Sequence, residues 1–136
     1  MAVRIAVVNH DAVFLRLVNQ ILSLDGYECV MCTAGSTAHE IISNEKPDLI
    51  VLDTWLEHRE AGWVLLQTLL LDETTNHIPV IITTSEVADF EQRAAGRDDL
   101  NTIVLLRKPF TPDQLLAVVG KVLKEEGHDT GDPSPA

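Results

Sequence analysis

The amino-acid sequence predicts an α/β fold in which a parallel sheet is covered by helices on both faces, giving three layers. Five short apolar runs rich in Val, Ile and Leu alternate with segments whose apolar residues recur every third or fourth position. This alternation is typical of strand–helix units, because parallel strands need a crossover, usually a helix, between them. We therefore expect one (βα)5 domain with right-handed crossovers.

The predicted strands are the five apolar runs, and turn or polar residues bound each of them. They span residues 4–8, 28–33, 49–52, 80–83 and 103–106. Apolar stripes of helical period lie at residues 14–24, 38–42, 63–70, 87–94 and 115–123. Asp11 is expected to cap the first helix, Ser36 the second, and Thr111 the fifth, where Pro112 follows. Gly120 lies inside the fifth helix, where it should cost about 1 kcal/mol relative to Ala.

Composition excludes several functional classes. The chain has 136 residues, 46% hydrophobic and 23% charged, which suits one domain with one core. Its net charge of −11 argues against direct nucleic-acid binding. No apolar run is long enough to span a membrane, and the N-terminus does not resemble a signal peptide, so we expect a cytoplasmic protein. We expect the domain to cover residues 1–126, followed by a disordered acidic and Pro-containing tail at 127–136.

The two cysteines, Cys29 and Cys32, form an isolated C-x-x-C within the second predicted strand. Residues three apart on a strand point to opposite faces of the sheet, so this pair is poorly placed to form a disulfide. Four zinc ligands would require a second pair, which is missing from the sequence. We interpret the two cysteines as ordinary buried or partly buried thiols.

Polar residues follow the predicted strands at one edge of the sheet. In a doubly wound sheet of order 2-1-3-4-5, the ends of strands one, three, four and five bring Asn9, Asp53, Thr84 and Lys108 together. A carboxylate can attack phosphorus and form an acyl phosphate. That reaction concentrates negative charge, which a lysine and a divalent cation neutralise. The predicted sheet order is that of a flavodoxin-like fold. The residues at its edge are suited to accepting a phosphoryl group.

Three motifs identify a family resemblance: PDLIVLD at 47–53, PVIITTS at 79–85 and LLRKPF at 105–110. With them, the chain from residue 3 to about 125 resembles the receiver domain of bacterial two-component response regulators. The resemblance implies that Asp53 accepts a phosphoryl group, that Thr84 is the switch hydroxyl and that Lys108 is the cation of the pocket.

The same resemblance implies a signalling role and a set of partners. The chain would be a single-domain receiver in a phosphorelay, not an enzyme. A sensor histidine kinase or a phosphotransfer protein would phosphorylate it, and a downstream protein would be its target. Receivers often form homodimers through the fourth helix, fifth strand and fifth helix. Phe90 and Leu106 give a hint of such a surface here.

The first strand departs from the family pattern. The family usually has two adjacent acidic residues there, which hold Mg2+, whereas this chain has Asn9 and His10. The metal ligands carried over from the family would be Asn9, His10, Asp53 and the backbone carbonyl of Trp55. Because Mg2+ prefers charged oxygen ligands, we expect it to bind weakly or not at all. Asp11, one place later, is expected to cap the helix.

The loop after Asp53 and the fifth strand depart as well. Glu57 stands where the family typically has Pro, and the segment at 60–62 carries one extra residue. Glu57 could return one carboxylate to the metal site, or it could be a solvated loop residue. Leu105 replaces a frequent Tyr or Phe, which suggests a different coupling to the output.

Three alternative interpretations remain open. The chain could be a pseudo-receiver that binds partners without phosphorylation, as Asn9 and His10 suggest. Lys108 could be a structural counter-ion of Asp53. His10 could be an exposed residue at the helix start, or it could join Asp53, with His58 or Glu57, in a transition-metal site.

Overall fold

The computed structural model describes residues 2–100 and 102–127, so the predicted tail at 128–136 lies outside the described residues. The strands are β1 (Arg4–Val8), β2 (Glu28–Cys32), β3 (Leu49–Asp53), β4 (Val80–Thr84) and β5 (Val104–Arg107). The helices are α1 (Ala12–Leu24), α2 (Gly35–Glu45), α3 (Ala61–Leu71), α4 (Val87–Ala94) and α5 (Pro112–Glu125), and a 3-10 turn spans Asp98–Leu100. All ten predicted elements are present.

The five strands form one parallel sheet of order β2-β1-β3-β4-β5, which confirms the predicted fold. β3 and β4 each extend one residue further than predicted. Backbone pairing between strands continues to Asp53 of β3, opposite Thr83, and to Thr84 of β4, opposite Arg107. β5 begins one residue later than expected and includes Arg107. The carboxyl ends of β1, β3, β4 and β5 therefore share one edge of the sheet.

The core consists of two apolar clusters, one on each face of the sheet. Residues that alternate along β1 divide between them: Ala6 and Val8 face one cluster, and Ile5 and Val7 face the other. The first cluster is completed by α2, α3 and α4, and the second by α1 and α5. The two-sided burial explains why the strands are continuous apolar runs. No helix within residues 2–100 or 102–127 has the length and hydropathy to cross a membrane.

The cysteines lie on opposite faces of β2, as predicted. Cys32 is fully buried in the α2–α3–α4 cluster, while Cys29 packs against the cluster formed by α1 and α5. Both are free thiols. Burial raises the pKa of Cys29 and of Cys32 to about 11, which keeps both thiols protonated near neutral pH.

Two of the three predicted helix caps are confirmed. The Asp11 carboxylate accepts hydrogen bonds from the backbone N–H groups of Val13 and Phe14. Thr111 forms a capping box with Gln114. The prediction for Ser36 is wrong, because α2 begins at Gly35 and Ser36 lies inside its first turn. A carboxylate from another loop, described below, accepts hydrogen bonds at this helix start instead.

The hint of a dimer surface at Phe90 and Leu106 is also wrong. Phe90 is 5% exposed and belongs to the α2–α3–α4 cluster, and Leu106 is 8% exposed and belongs to the other cluster. Both side chains are therefore part of the core and offer no apolar surface to a partner.

Candidate phosphoacceptor site

A pocket of about 280 Å³ opens at the carboxyl edge of the sheet. Its lining residues come from the ends of β1, β3 and β4 and from the segments that follow these strands and β5. They are Asn9, His10, Asp11, Phe14, Asp53, Thr54, Trp55, Thr84, Ser85, Glu86 and Lys108. The fold thus brings together the four side chains that the sequence predicted to meet: Asn9, Asp53, Thr84 and Lys108.

Asp53 lies at the base of this pocket and is 2% exposed. Its Oδ2 accepts a hydrogen bond from Asn9 Nδ2 at 3.0 Å and forms an ion pair with Lys108 Nζ. Its Oδ1 accepts from the backbone N–H of Trp55 at 2.8 Å. A buried carboxylate requires such partners, because an unpaired buried charge is strongly destabilising.

Asn9 has a fixed orientation in the pocket. It is 5% exposed, and its Oδ1 accepts a hydrogen bond from the backbone N–H of Asp11 at 2.8 Å. A backbone N–H can only donate, so the carbonyl end of the carboxamide must face Asp11. The NH2 end therefore faces Asp53, and the two hydrogen bonds determine the orientation together.

Thr84 is held by two neighbours at the end of β4. Its side chain is 2% exposed, and its Oγ1 accepts hydrogen bonds from Thr54 Oγ1 at 3.1 Å and from the backbone N–H of Glu86 at 2.9 Å. The contact with Thr54, which directly follows Asp53, was not predicted from the sequence. This contact joins the loop after β3 to the segment that enters α4.

Side chains of the loop from Thr54 to Glu60 contact the start of α2 and the segment that enters α4. Glu57 accepts hydrogen bonds from the backbone N–H groups of Gly35 at 2.8 Å and Ser36 at 3.1 Å, at the start of α2. Arg59 lies over the Trp55 ring at 5.8 Å and donates to Glu86 at 2.7 Å. The Glu57 carboxylate, which was a candidate metal ligand, is thus directed toward the start of α2.

α3 and α4 are joined beside this pocket by an ion pair between Glu60 and Arg93. The guanidinium of Arg93 donates to both oxygens of Glu60, each at 2.7 Å, and lies over the Trp63 ring at 5.5 Å. Arg93 holds the pKa of the Glu60 carboxyl below its usual range. No sequence signal linked these two residues, which are 33 positions apart.

The pocket residues fit a divalent cation poorly. Asp53 is the one carboxylate in the proposed ligand set, and the NH2 group of Asn9, not its oxygen, faces that carboxylate. His10 is exposed at the pocket rim. Within the part of the chain that the structure describes, no three His, Cys, Asp or Glu side chains are grouped as metal ligands require, so a transition-metal site with His58 or Glu57 is not supported.

Comparisons with known proteins agree on one family. The sequence profile of the response regulator receiver domain matches residues 5–120. The phosphate regulon transcriptional regulatory protein PhoB of Pseudomonas aeruginosa is 33% identical over 126 residues, which cover 90% of this chain and 52% of PhoB. Response regulator MprA of Mycobacterium sp. strain KMS is 32% identical over 139 residues, covering 100% of this chain and 57% of MprA. The chain spans just over half the length of these relatives.

Solved structures show the same fold. A CheY-like receiver domain protein of Methanospirillum hungatei has a TM-score of 0.76 at 25% identity, covering 93% of this chain and 98% of that one. The chemotaxis response regulator CheY4 of Vibrio cholerae has a TM-score of 0.78 at 21% identity, covering 90% of this chain and 100% of that one. Together with the matched profile, these similarities show that the chain belongs to the receiver-domain family of response regulators, the signalling modules of two-component systems.

Proposed function

We infer that this domain accepts a phosphoryl group on Asp53 from a histidine kinase or a phosphotransfer protein, and that phosphorylation changes its binding to a downstream protein. The observation that carries this proposal is the position of Asp53. It is a buried carboxylate at the base of an open pocket, with the Lys108 ammonium on one of its oxygens. A nucleophile and a fixed cation are thus in place at one point.

The chemistry follows from these two groups. A carboxylate oxygen of Asp53 forms a bond to phosphorus while the bond from phosphorus to the donor's imidazole nitrogen breaks. The imidazole keeps the electron pair and takes a proton from solvent. The acyl phosphate then carries more negative charge than the carboxylate did, and Lys108 neutralises part of it. Lys108 thus has a role in the reaction beyond that of a structural counter-ion to Asp53.

The signal would leave the site through Thr84. Its hydroxyl is engaged by Thr54 and by the backbone N–H of Glu86. Thr84 accepts in both of these bonds, and we propose that its side chain turns to donate to a phosphoryl oxygen, which breaks the contact with Thr54 and disturbs the segment that enters α4. Leu105 on β5 is half-buried against the α2–α3–α4 cluster and has no polar group that could form a new hydrogen bond with a partner. We therefore place the partner-binding change at the β4–α4 segment.

The cation requirement of this domain should be weaker than the family pattern implies. Asn9 and His10 bring no carboxylate to the pocket, so we propose weak or absent Mg2+ binding. The same pocket offers three hydrogen-bond donors to an anion: Lys108 Nζ, Asn9 Nδ2 and the Thr84 hydroxyl. Homodimer formation through α4, β5 and α5 remains part of the proposal, without Phe90 or Leu106 at the contact.

Intact-mass spectrometry after incubation with acetyl phosphate tests the phosphoacceptor role. The wild-type protein should gain one phosphoryl group, and Asp53→Asn should gain none. Asp11→Asn is a matched control, because Asp11 is the neighbouring carboxylate in the same pocket and Asn also caps helices well. Labelling that persists in Asp53→Asn would refute the assignment.

A second function, phosphorylation-independent binding of a protein partner, is favoured by one observation. Asp53 already has at least one partner on each carboxylate oxygen, so its charge is stabilised without any phosphoryl group. If the wild-type protein remains unlabelled by acetyl phosphate and by phosphorylated kinase, this pseudo-receiver function is the better account. Asp53→Asn would then bind the partner with the wild-type affinity.

A further inference from the structure

We propose that the Asn9 carboxamide takes the place of a divalent cation at Asp53, so that the pocket binds phosphoryl-like anions without a metal. The inference deepens the proposed function and rests on it for the identity of the anion. It makes Asn9 a positioning residue with two roles, as a hydrogen-bond donor at the site and as a group that excludes cations from it.

The orientation of Asn9 keeps its side-chain oxygen away from a cation in the pocket. The backbone N–H of Asp11 holds Asn9 Oδ1 at 2.8 Å, and Asn9 Nδ2 donates to Asp53 Oδ2 at 3.0 Å. Rotating the carboxamide to offer its oxygen to a cation would place a donor against the Asp11 N–H and would break both hydrogen bonds. Because Asn9 is 5% exposed, water has little access to compensate these losses.

Hydrogen-bond donors already use most of the acceptor positions of the Asp53 carboxylate. A carboxylate has about four acceptor positions. Asn9 Nδ2, Lys108 Nζ and the backbone N–H of Trp55 use three of them. Mg2+ requires near-octahedral oxygen coordination and normally binds one or two carboxylates. Here it would compete with an ammonium and with amide hydrogens of partial positive charge for the Asp53 carboxylate. The other two carboxylates of the pocket are already engaged, Asp11 with the start of α1 and Glu86 with Arg59.

The same donors are well placed to bind an anion at Asp53. Asn9 Nδ2 and Lys108 Nζ both reach Asp53 Oδ2, so they converge on one point from two strand ends. A phosphoryl group bonded to Asp53 would bring oxygens to this point. The amide hydrogens of Asn9 would then donate to a phosphoryl oxygen. In sites with more carboxylates, a metal ion contacts and neutralises that oxygen instead.

Direct cation binding tests the exclusion without any phosphorylation. Mg2+ is titrated into the full chain while the backbone amide NMR shifts and the tryptophan fluorescence are followed. Trp55, which is 52% exposed beside the pocket, contributes to that fluorescence together with Trp63. The wild type should show no saturable change at millimolar Mg2+, whereas Asn9→Asp should gain saturable binding, with an affinity at least about tenfold above any wild-type response. Saturable millimolar Mg2+ binding by the wild type would overturn the proposal.

His10→Asp is the matched control, because it adds a carboxylate one residue away at an exposed position. If His10→Asp restores Mg2+ binding as well as Asn9→Asp does, the missing charge is the cause and the role of the Asn9 amide is refuted. If only Asn9→Asp restores binding, the amide is the cause. Amide spectra of each variant establish that it is folded.

The donor role is tested with beryllofluoride, a phosphoryl mimic, in buffer freed of divalent metals. The wild type should bind it, and Asn9→Ala should lose most of this binding without gaining any for Mg2+. Wild-type affinity in Asn9→Ala would overturn the donor role, and so would a wild-type response that requires Mg2+. If acetyl phosphate and kinase both fail to label the wild type while Asn9→Asp still gains Mg2+, the phosphoacceptor function fails and the cation exclusion stands.

Discussion

Gly62 lies directly against the end of β3: its backbone N–H donates to the carbonyl oxygen of Thr54 at 3.2 Å. A Cβ atom at this position would lie 2.4 Å from the backbone oxygens of Asp53 and Thr54. Backbone atoms cannot move aside as a flexible side chain can. The start of α3 therefore approaches the end of β3 more closely than any residue with a side chain would allow.

Gly62→Ala should destabilise the fold because it forces β3 and α3 apart. We expect a loss of about 1–3 kcal/mol in the free energy of unfolding, measured with urea, together with shifted amide resonances around Asp53. Gly120→Ala is the control, because a Cβ there meets nothing within 4 Å and the position is inside α5. That change should stabilise the protein by about 1 kcal/mol. Equal stabilities of the two variants would contradict this account.

Glu57 should contribute to stability by capping α2. Replacing it with Ala removes the acceptor for the Gly35 and Ser36 N–H groups. We expect a loss of about 0.5–1 kcal/mol, the lower part of the range for caps, because the carboxylate is exposed. Urea unfolding of the wild type and Glu57→Ala at neutral pH measures it.

The contribution of Glu57 should also depend on pH. Hydrogen bonds, chiefly from the backbone N–H of Gly35, lower the pKa of the Glu57 carboxyl in the folded state. Its contribution is therefore complete above the unfolded pKa and is lost as the pH falls through the folded value. The stability difference from Glu57→Ala should shrink in acid, whereas the difference between Glu57→Gln and Glu57→Ala should stay constant. If the difference in unfolding free energy between the wild type and Glu57→Ala does not change with pH, the Glu57 cap does not depend on its charge.

Thr54→Val should ease the switching step. Valine keeps the shape of threonine but cannot donate to Thr84, so the contact that we propose is broken when Thr84 turns toward a phosphoryl oxygen is already absent. We expect beryllofluoride to bind about fivefold tighter, the equivalent of about 1 kcal/mol for one hydrogen bond. Thr84→Val, which removes the switch hydroxyl itself, should bind more weakly. Weaker binding by Thr54→Val would show that Thr54 contacts the anion directly.

The two thiols should be unreactive in the folded protein. Burial raises the pKa of both Cys29 and Cys32 to about 11, so little thiolate is present at pH 8. A thiol reagent such as DTNB should react slowly with the native protein and rapidly with both cysteines in urea. Rapid native reaction, or an oxidised form with an internal disulfide, would contradict the positions of the two residues on opposite faces of β2.

The sequence was sufficient to predict the fold and the composition of the pocket for a physical reason. Alternating strand and helix patterns leave few topologies, and residues that follow parallel strands must meet at one edge. Asn9, Asp53, Thr84 and Lys108 were located in this way. The Asp11 cap could also be predicted, because it depends only on neighbours in the chain.

The remaining features depend on loop conformation, which the sequence pattern does not determine. Whether Asn9 offers its oxygen or its NH2 group to Asp53 depends on where the Asp11 N–H points. The position of Glu57 at α2 depends on the course of a six-residue irregular segment, Thr54–Arg59, which lies between β3 and the cap of α3. The Ser36 prediction failed because α2 begins at Gly35, so the cap position falls on Ala34, which has no polar side chain. The distant Glu57 carboxylate accepts the hydrogen bonds that a polar cap residue would otherwise accept.

The most direct test of the central claim is an NMR titration with beryllofluoride in buffer freed of divalent metals, following the side-chain NH2 resonances of Asn9. If Asn9 donates to an anion bound at Asp53, these resonances should shift saturably, and those of the Asp53 and Thr84 backbone amides should shift with the same midpoint. Asp53→Asn should show none of these changes. Asn9 resonances that stay unchanged, or that respond only after Mg2+ is added, would contradict the account.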